Sequence, residues 1–181
     1  MLFRRTGRSF LCIPVLAAGC GSLYPPLDVV ESVDLNRYVG TWYEIASYPA
    51  PFQSGCTGTT AEYTLRDDGT VKVVNRCYSG SLDGPEKRIE GTARVPDPAE
   101  SAKLKVSFFP PFEGDYWIID LGPNYEYAVV SGPSRRFLWI LSRTPTLDET
   151  VYEEILNRLR EKGFDPGRLV RTIQPQTSAS G

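Results

Sequence analysis

The sequence predicts an all-β fold, an eight-stranded antiparallel up-and-down β-barrel with one C-terminal α-helix packed outside it. Three observations carry that prediction. After Gly40 the chain divides into eight short segments rich in β-branched and aromatic residues, each bounded by turn residues. The connections are too short for crossover helices, so consecutive strands run antiparallel. A single helical stripe appears, and only near the C-terminus.

The expected strands are Thr41–Tyr48, Thr57–Leu65, Val71–Ser79, Lys87–Val95, Ala102–Phe108, Asp115–Leu121, Tyr127–Ser131 and Phe137–Ser142. Asp67-Asp68-Gly69, Asp97-Pro98, Pro110 through Gly114 and Gly132-Pro133-Ser134 supply the turn chemistry between them. Lys103, Lys105 and Ser107 interleave with Leu104, Val106 and Phe108, and Arg88, Glu90 and Thr92 interleave with Ile89, Gly91 and Ala93. Such period-two alternation gives a sheet one wet and one dry face. Closing it removes the exposed edges, and eight tilted strands leave room for one small ligand.

Before the strands, Asp34 to Tyr38 reads as a short turn of helix. After them, Val151, Tyr152, Ile155, Leu156 and Leu159 form an apolar stripe. Thr146 with Glu149 fits a capping box, and Gly163 can end the helix. Leu169–Ile173 is expected to add one short strand.

The 181 residues contain no histidine. Ser-His-Asp, Cys-His and HExxH chemistries are therefore excluded, along with histidine ligation of zinc or haem. No motif gathers the remaining carboxylate, Lys, Tyr or Cys groups, so no catalytic residue, metal site or cofactor is expected. No apolar run reaches the roughly 18 residues needed to span a bilayer.

Residues 1–19 read as a signal peptide, with Arg4, Arg5 and Arg8 basic, Ser9 to Leu16 apolar, and small residues before Cys20. This resembles the lipobox of bacterial lipoproteins, although Leu16 stands four positions before the cysteine. The resemblance implies cleavage before Cys20 and its lipidation; simple cleavage or a retained N-terminus are the alternatives. Gly21 in place of Asp implies sorting to the outer membrane, on its periplasmic side.

Loss of residues 1–19 removes three Arg and no acid, leaving 17 basic and 22 acidic residues and a net charge of −5. Nucleic acid is not an expected partner of such a chain. Residues 20–33, with Pro25-Pro26, read as a tether, 34–175 as the folded domain and 176–181 as a loose tail. Cys56 and Cys77 are left as a pair, for which an exported protein favours a disulfide. Folding the hairpin about Asp68-Gly69 sets Cys77 near Thr60, so a bulge or loop must bring Cys56 to it.

The residues that follow resemble the lipocalin family, and within it the bacterial outer-membrane branch related to apolipoprotein D, over roughly Val33 to Gln174. Gly40-Thr41-Trp42-Tyr43-Glu44-Ile45-Ala46 matches the family's Gly-x-Trp motif at the first strand. Gly114-Asp115-Tyr116 is matched to the second motif, usually written with Thr at the first place. Arg143, in Leu138 through Pro145, is the third. The resemblance implies that Gly40, Trp42, Asp115 and Arg143 are structural, with Arg143 lying across the Trp42 ring as a plug of the closed end.

Alternation from Trp42 and Arg143 turns Glu44, Ala46, Ala61, Tyr63, Val71, Val73, Asn75, Ile89, Leu104, Val106, Phe108, Trp139 and Leu141 inward. Near an open end such residues line a cavity; near a closed end they are packing. Both faces of the Tyr116, Trp117 and Ile118 strand are apolar, which leaves its parity open. Tyr127 is a candidate polar handle, and Phe52 is either a lid over the mouth or a bare surface aromatic, as are Phe109 and Phe112. The expected ligand is a fatty acid, a lysophospholipid or another small apolar molecule. Three alternatives stand beside it. These are a non-lipid apolar compound such as an antibiotic or isoprenoid, an enzyme using Glu44, Tyr63 or Tyr127, and a structural envelope protein with a filled lumen. The resemblance also admits a homodimer.

Overall fold

The computed structural model describes residues 25–175. Its strands are β1 (Gly40–Ser47), β2 (Cys56–Leu65), β3 (Val71–Ser79), β4 (Glu86–Arg94), β5 (Lys103–Phe109), β6 (Phe112–Leu121), β7 (Tyr127–Ser131), β8 (Leu138–Ser142) and β9 (Val170–Arg171). Each of the first eight pairs antiparallel with its neighbour in sequence, and β1 closes the sheet by pairing with both β2 and β8. The eight-stranded barrel is thus the expected one. β6 begins three residues earlier than expected, because Phe109 pairs with Phe112 across a turn made by Pro110 and Pro111 alone.

The helices are α1 (Leu35–Tyr38) and α2 (Glu149–Glu161). α2 is capped by Asp148, whose side chain accepts from the Thr150 and Val151 N–H groups, and not by Thr146. A carboxylate there satisfies orphan donors and complements the positive end of the helix dipole. The predicted stripe is the packing face: Tyr152, Ile155, Leu156 and Leu159 are buried against Ile45, Tyr48, Val129 and Ile140 on the outside of the barrel. Each such side chain contributes about 1.5–3 kcal/mol of apolar burial.

A second cluster fills the inside, where Trp42, Val73, Ala93, Leu104, Ile118, Val130 and Leu141 meet. The parity left open for β6 is resolved here, with Tyr116 and Ile118 inward and Trp117 and Ile119 outward.

Residues from Pro25 onward do not hang free as a tether. Leu27 and Val33 are buried, the Val30 N–H bonds the Ile118 carbonyl, and Arg135 bonds the Pro25 carbonyl. Apolar residues at 27, 29, 30 and 33 give this stretch a surface to bury, which Pro25-Pro26 alone did not reveal. Cys20 and the tail 176–181 lie outside the described residues.

The Cys56–Cys77 disulfide is present, with Cα atoms 5.4 Å apart. The gap anticipated from hairpin register is closed by a bulge: Thr60 pairs with Arg76, yet Thr57 pairs with Tyr78. Gly58 sits in the bulge at φ +58°, where side chains are disfavoured.

β1 and β2 pair only over Gly40–Tyr43 and Thr60–Tyr63, then diverge. The chain beyond α2 fills the split. The Thr172 N–H bonds the Ile45 carbonyl, the Gly58 N–H bonds the Ile173 carbonyl, and Gln174 Nε2 donates to both the Glu44 and Thr59 carbonyls. The last strand is therefore a stave of the barrel wall.

Candidate functional site

Alternate turns define the two ends of the barrel. One end is shut by Trp42, which is fully buried. The Arg143 guanidinium carbon lies 3.8 Å from the Trp42 ring centroid. Arg143 also donates to the carbonyls of Arg37, Tyr38, Val39, Thr41 and Tyr125 at 2.6–3.3 Å. Trp42 Nε1 donates to the Tyr38 carbonyl at 2.8 Å. Gly40, at φ +96°, leaves the space this needs: a Cβ there would stand 3.3 Å from Arg143 Nη1. Burial lowers the Arg143 pKa from its usual value.

Asp115 is not part of that plug. It lies in the other half of the barrel, where its carboxylate is 2.6 Å from Lys105 Nζ. The residue that meets Arg143 from the β6–β7 turn is Tyr125, held at φ +62°, with its hydroxyl accepting from the Asp34 N–H. Gly114-Asp115-Tyr116 lies within β6 and not at the turn that meets Arg143.

Above the plug lies a floor of three tyrosines, Tyr38 and Tyr63 buried and Tyr116 half-buried. The Tyr116 hydroxyl stands 2.8 Å from that of Tyr38 and 2.9 Å from that of Tyr63. Desolvation raises all three phenol pKa values, that of Tyr63 to about 12.

Over this floor a cavity of about 740 Å³ opens at the far end, within the range of small-molecule sites. Of the residues expected to line it, Phe52, Ala61, Tyr63, Val73, Asn75, Ile89, Val106, Phe108, Tyr116 and Trp139 do so, as do Glu44 and Leu141. Phe109, Phe112 and Phe137 surround the mouth with Arg88 and Arg136. Phe52, Phe109 and Phe112 are 67%, 70% and 77% exposed.

Four residues expected to face inward or to line the cavity, Ala46, Tyr127, Leu104 and Val71, do not reach it. Ala46 belongs to the outer cluster under α2, because a bulge in β1 between Glu44 and Ala46 reverses the alternation. Tyr127 also faces outward, and its hydroxyl accepts from Arg158 Nη2 at 2.9 Å. It pairs with Ser142, whereas inward-facing Leu141 pairs with Ala128. Leu104 faces inward but too deep: with Leu35, Val39, Val71 and Ala93 it lines a void of about 10 Å³ below the floor.

Sequence reasoning missed Gln53 and Thr59. Gln53, in a 3₁₀ turn spanning Pro51–Gln53, donates to Glu44 Oε2 at 2.8 Å and accepts from Trp139 Nε1 at 2.8 Å. It ties the mouth loop to β1 and β8. Thr59 lines the lumen at the edge of the β2 bulge. Gln53 carried no periodic signal, whereas Thr59 shares the inward parity of Ala61 and Tyr63.

A closed antiparallel barrel with an outer helix, a plugged end and an open lumen defines a lipocalin. The lipocalin-like domain family matches residues 33–174, and the chain belongs to it. The "Outer membrane lipoprotein Blc" of Escherichia coli (strain K12) is 43% identical over 162 residues, covering 88% of this chain and 91% of that one. "Temperature-induced lipocalin-1" of Arabidopsis thaliana is 42% identical over 160 residues, covering 83% and 84%. "Apolipoprotein D" of Mus musculus is 34% identical over 83% of this chain and 82% of its own. Among solved structures, insecticyanin from the tobacco hornworm Manduca sexta shares the fold at a TM-score of 0.67 and 23% identity, covering 87% and 88% of the two chains.

Proposed function

We propose that this protein carries fatty acids, lysophospholipids or similar single-tailed amphiphiles in its barrel, and that it does so from the outer membrane, anchored through Cys20 on the periplasmic side. The observation that carries this is the cavity: about 740 Å³, open at one end and walled by Val73, Ile89, Val106, Phe108 and Leu141. Each buried methylene of a tail contributes about 0.8 kcal/mol, so about 14 carbons supply on the order of 10 kcal/mol before ordering costs. Affinity then needs no single polar contact. Exposed phenylalanines at the mouth give an incoming tail apolar surface on its way in.

The location is supported by relatives whose names describe outer membrane lipoproteins and by the cysteine after a short apolar leader. A binding role is supported by membership of the lipocalin-like domain family; of the candidate catalytic groups, Tyr127 stands outside the lumen under α2 while Glu44 and Tyr63 line it.

Titration of delipidated protein with fluorescent fatty acids and lysophospholipids is expected to give saturable binding with one site per chain. Failure to take up any of them, with uptake of a non-lipid apolar probe instead, would shift the cargo class. Mass spectrometry of protein from its native envelope tests the anchor, through the mass added at Cys20.

A further inference from the structure

One wall of the lumen carries a buried carboxylate for which an apolar tail has no use. Glu44 is 5% exposed and lines the cavity. Among the described residues no Lys or Arg forms an ion pair with it. Its partners are neutral: Oε1 accepts from Ser47 Oγ at 3.0 Å and from Thr172 Oγ1 at 2.6 Å, and Oε2 accepts from Gln53 Nε2 at 2.8 Å. A carboxylate has about four lone-pair sites, so Oε2 keeps one without a donor. Buried charges are ordinarily paired, and among the described residues this one has no counter-charge.

The surroundings are short of donors in the same way. Thr59 is 9% exposed, lines the same cavity, and its Oγ1 has no hydrogen-bond partner among the described residues. It is fixed beside Glu44, since the Gln174 amide donates to the carbonyls of both. Across β2, Asn75 also lines the cavity and its Oδ1 is buried without a partner. The unmet groups of this wall are thus a carboxylate, a carbonyl and a hydroxyl. A guest that brings positive charge and several N–H donors answers them; a second carboxylate does not.

The geometry points to a lumen that selects single-tailed amphiphiles bearing a protonated primary amine, with Glu44 holding the ammonium and Thr59 accepting a second N–H. This rests on the lumen taking an aliphatic tail, as proposed above, and adds the headgroup chemistry. Charged-assisted hydrogen bonds are about twice as strong as neutral ones, which sets the size of the preference.

The test uses the full chain, delipidated, with displacement of a neutral fluorescent reporter by dodecylamine, dodecanol and dodecanoate. Dodecylamine is expected to bind about tenfold or more tightly than dodecanol, and dodecanoate more weakly than either. The cavity carries Arg76, Lys87, Arg88 and Arg136 alongside Glu113 and Asp115, so the Glu44→Gln comparison is what separates a contact at Glu44 from general charge attraction. Glu44→Gln is expected to abolish the amine preference, bringing the ratio of amine to alcohol affinity to about one. Equal affinities for the amine and the alcohol, or an amine preference that survives Glu44→Gln in a folded variant, would overturn the assignment. If Glu44→Gln does not fold, the order measured on the unaltered protein and on Thr59→Val decides. There an amine preference that Thr59→Val reduces supports the site, and one that it leaves intact counts against it. Equal binding of all three tails leaves the lipid-carrier proposal standing and removes this one; binding of none removes both.

Discussion

At the closed end of the barrel Trp42 is fully buried and Arg143 spends its donors on five backbone carbonyls. At the open end three phenylalanines stand two-thirds exposed or more, and Thr59 and Asn75 carry buried polar atoms with no partner. The same inward alternation of side chains leads to both. What differs is whether a cross-barrel group arrives to meet the inward row. Below, α1 and the β6–β7 turn bring carbonyls and Tyr125 to Arg143; above, the corresponding volume is left to a guest. Stability is concentrated at one end and binding at the other.

Mutations separate the two ends by scale. Trp42→Ala removes the largest side chain of the plug and is expected to cost about 3–5 kcal/mol, read as a shift in the denaturant midpoint. A loss below about 1 kcal/mol would mean the plug is not what holds that end. Arg143→Met keeps the stem but strands the carbonyls, for an expected loss of about 2–3 kcal/mol by the same measurement.

The tyrosine floor between the ends gives a pH signature. The Tyr63 phenol is pushed up to about 12 from a usual value of 10.0. Between those limits the unfolded chain releases a proton that the folded one keeps. The stabilisation is therefore complete below about pH 10 and is lost as pH rises through about 12, on the order of 2 kcal/mol. Tyr38 and Tyr116 shift the same way. Denaturant midpoints that do not fall between about pH 9 and about pH 11.5 would contradict burial of the floor. The smallest effect belongs to the mouth: Phe112→Ser should change stability by no more than about 0.5 kcal/mol while slowing ligand capture in stopped-flow mixing.

The barrel was legible in the sequence because its signals are local. Alternation such as Lys103 through Phe108 reports a strand with a wet and a dry face, and the turn residues report where it reverses. The cavity wall was less legible, because alternation gives a face but not a depth. Leu104 faces inward as read, yet lies beneath the floor. Ala46 was lost to a bulge that shifts parity by one residue, whereas Thr59 follows the parity of Ala61 and Tyr63 and was within reach of the same rule. Tyr127 was recoverable: carrying the parity of Trp139 and Leu141 through the β7–β8 hairpin sets Ala128 and Val130 inward and Tyr127 out. Gln53 had no sequence signal, since its role depends on Glu44 and Trp139 meeting it across the fold.

The stave formed by residues 170–174 has a consequence in time. Synthesis runs from the N-terminus, so β1 to β8 and α2 leave the ribosome before the segment that bridges β1 to β2 at the open end. Until Thr172 and Gln174 arrive, Glu44 lacks one of its donors and the wall beside it is split. A nascent chain paused before residue 170 can close its plugged end but has no finished container. Loss of residues 170–174 would leave the split between β1 and β2 unbridged beside the lumen.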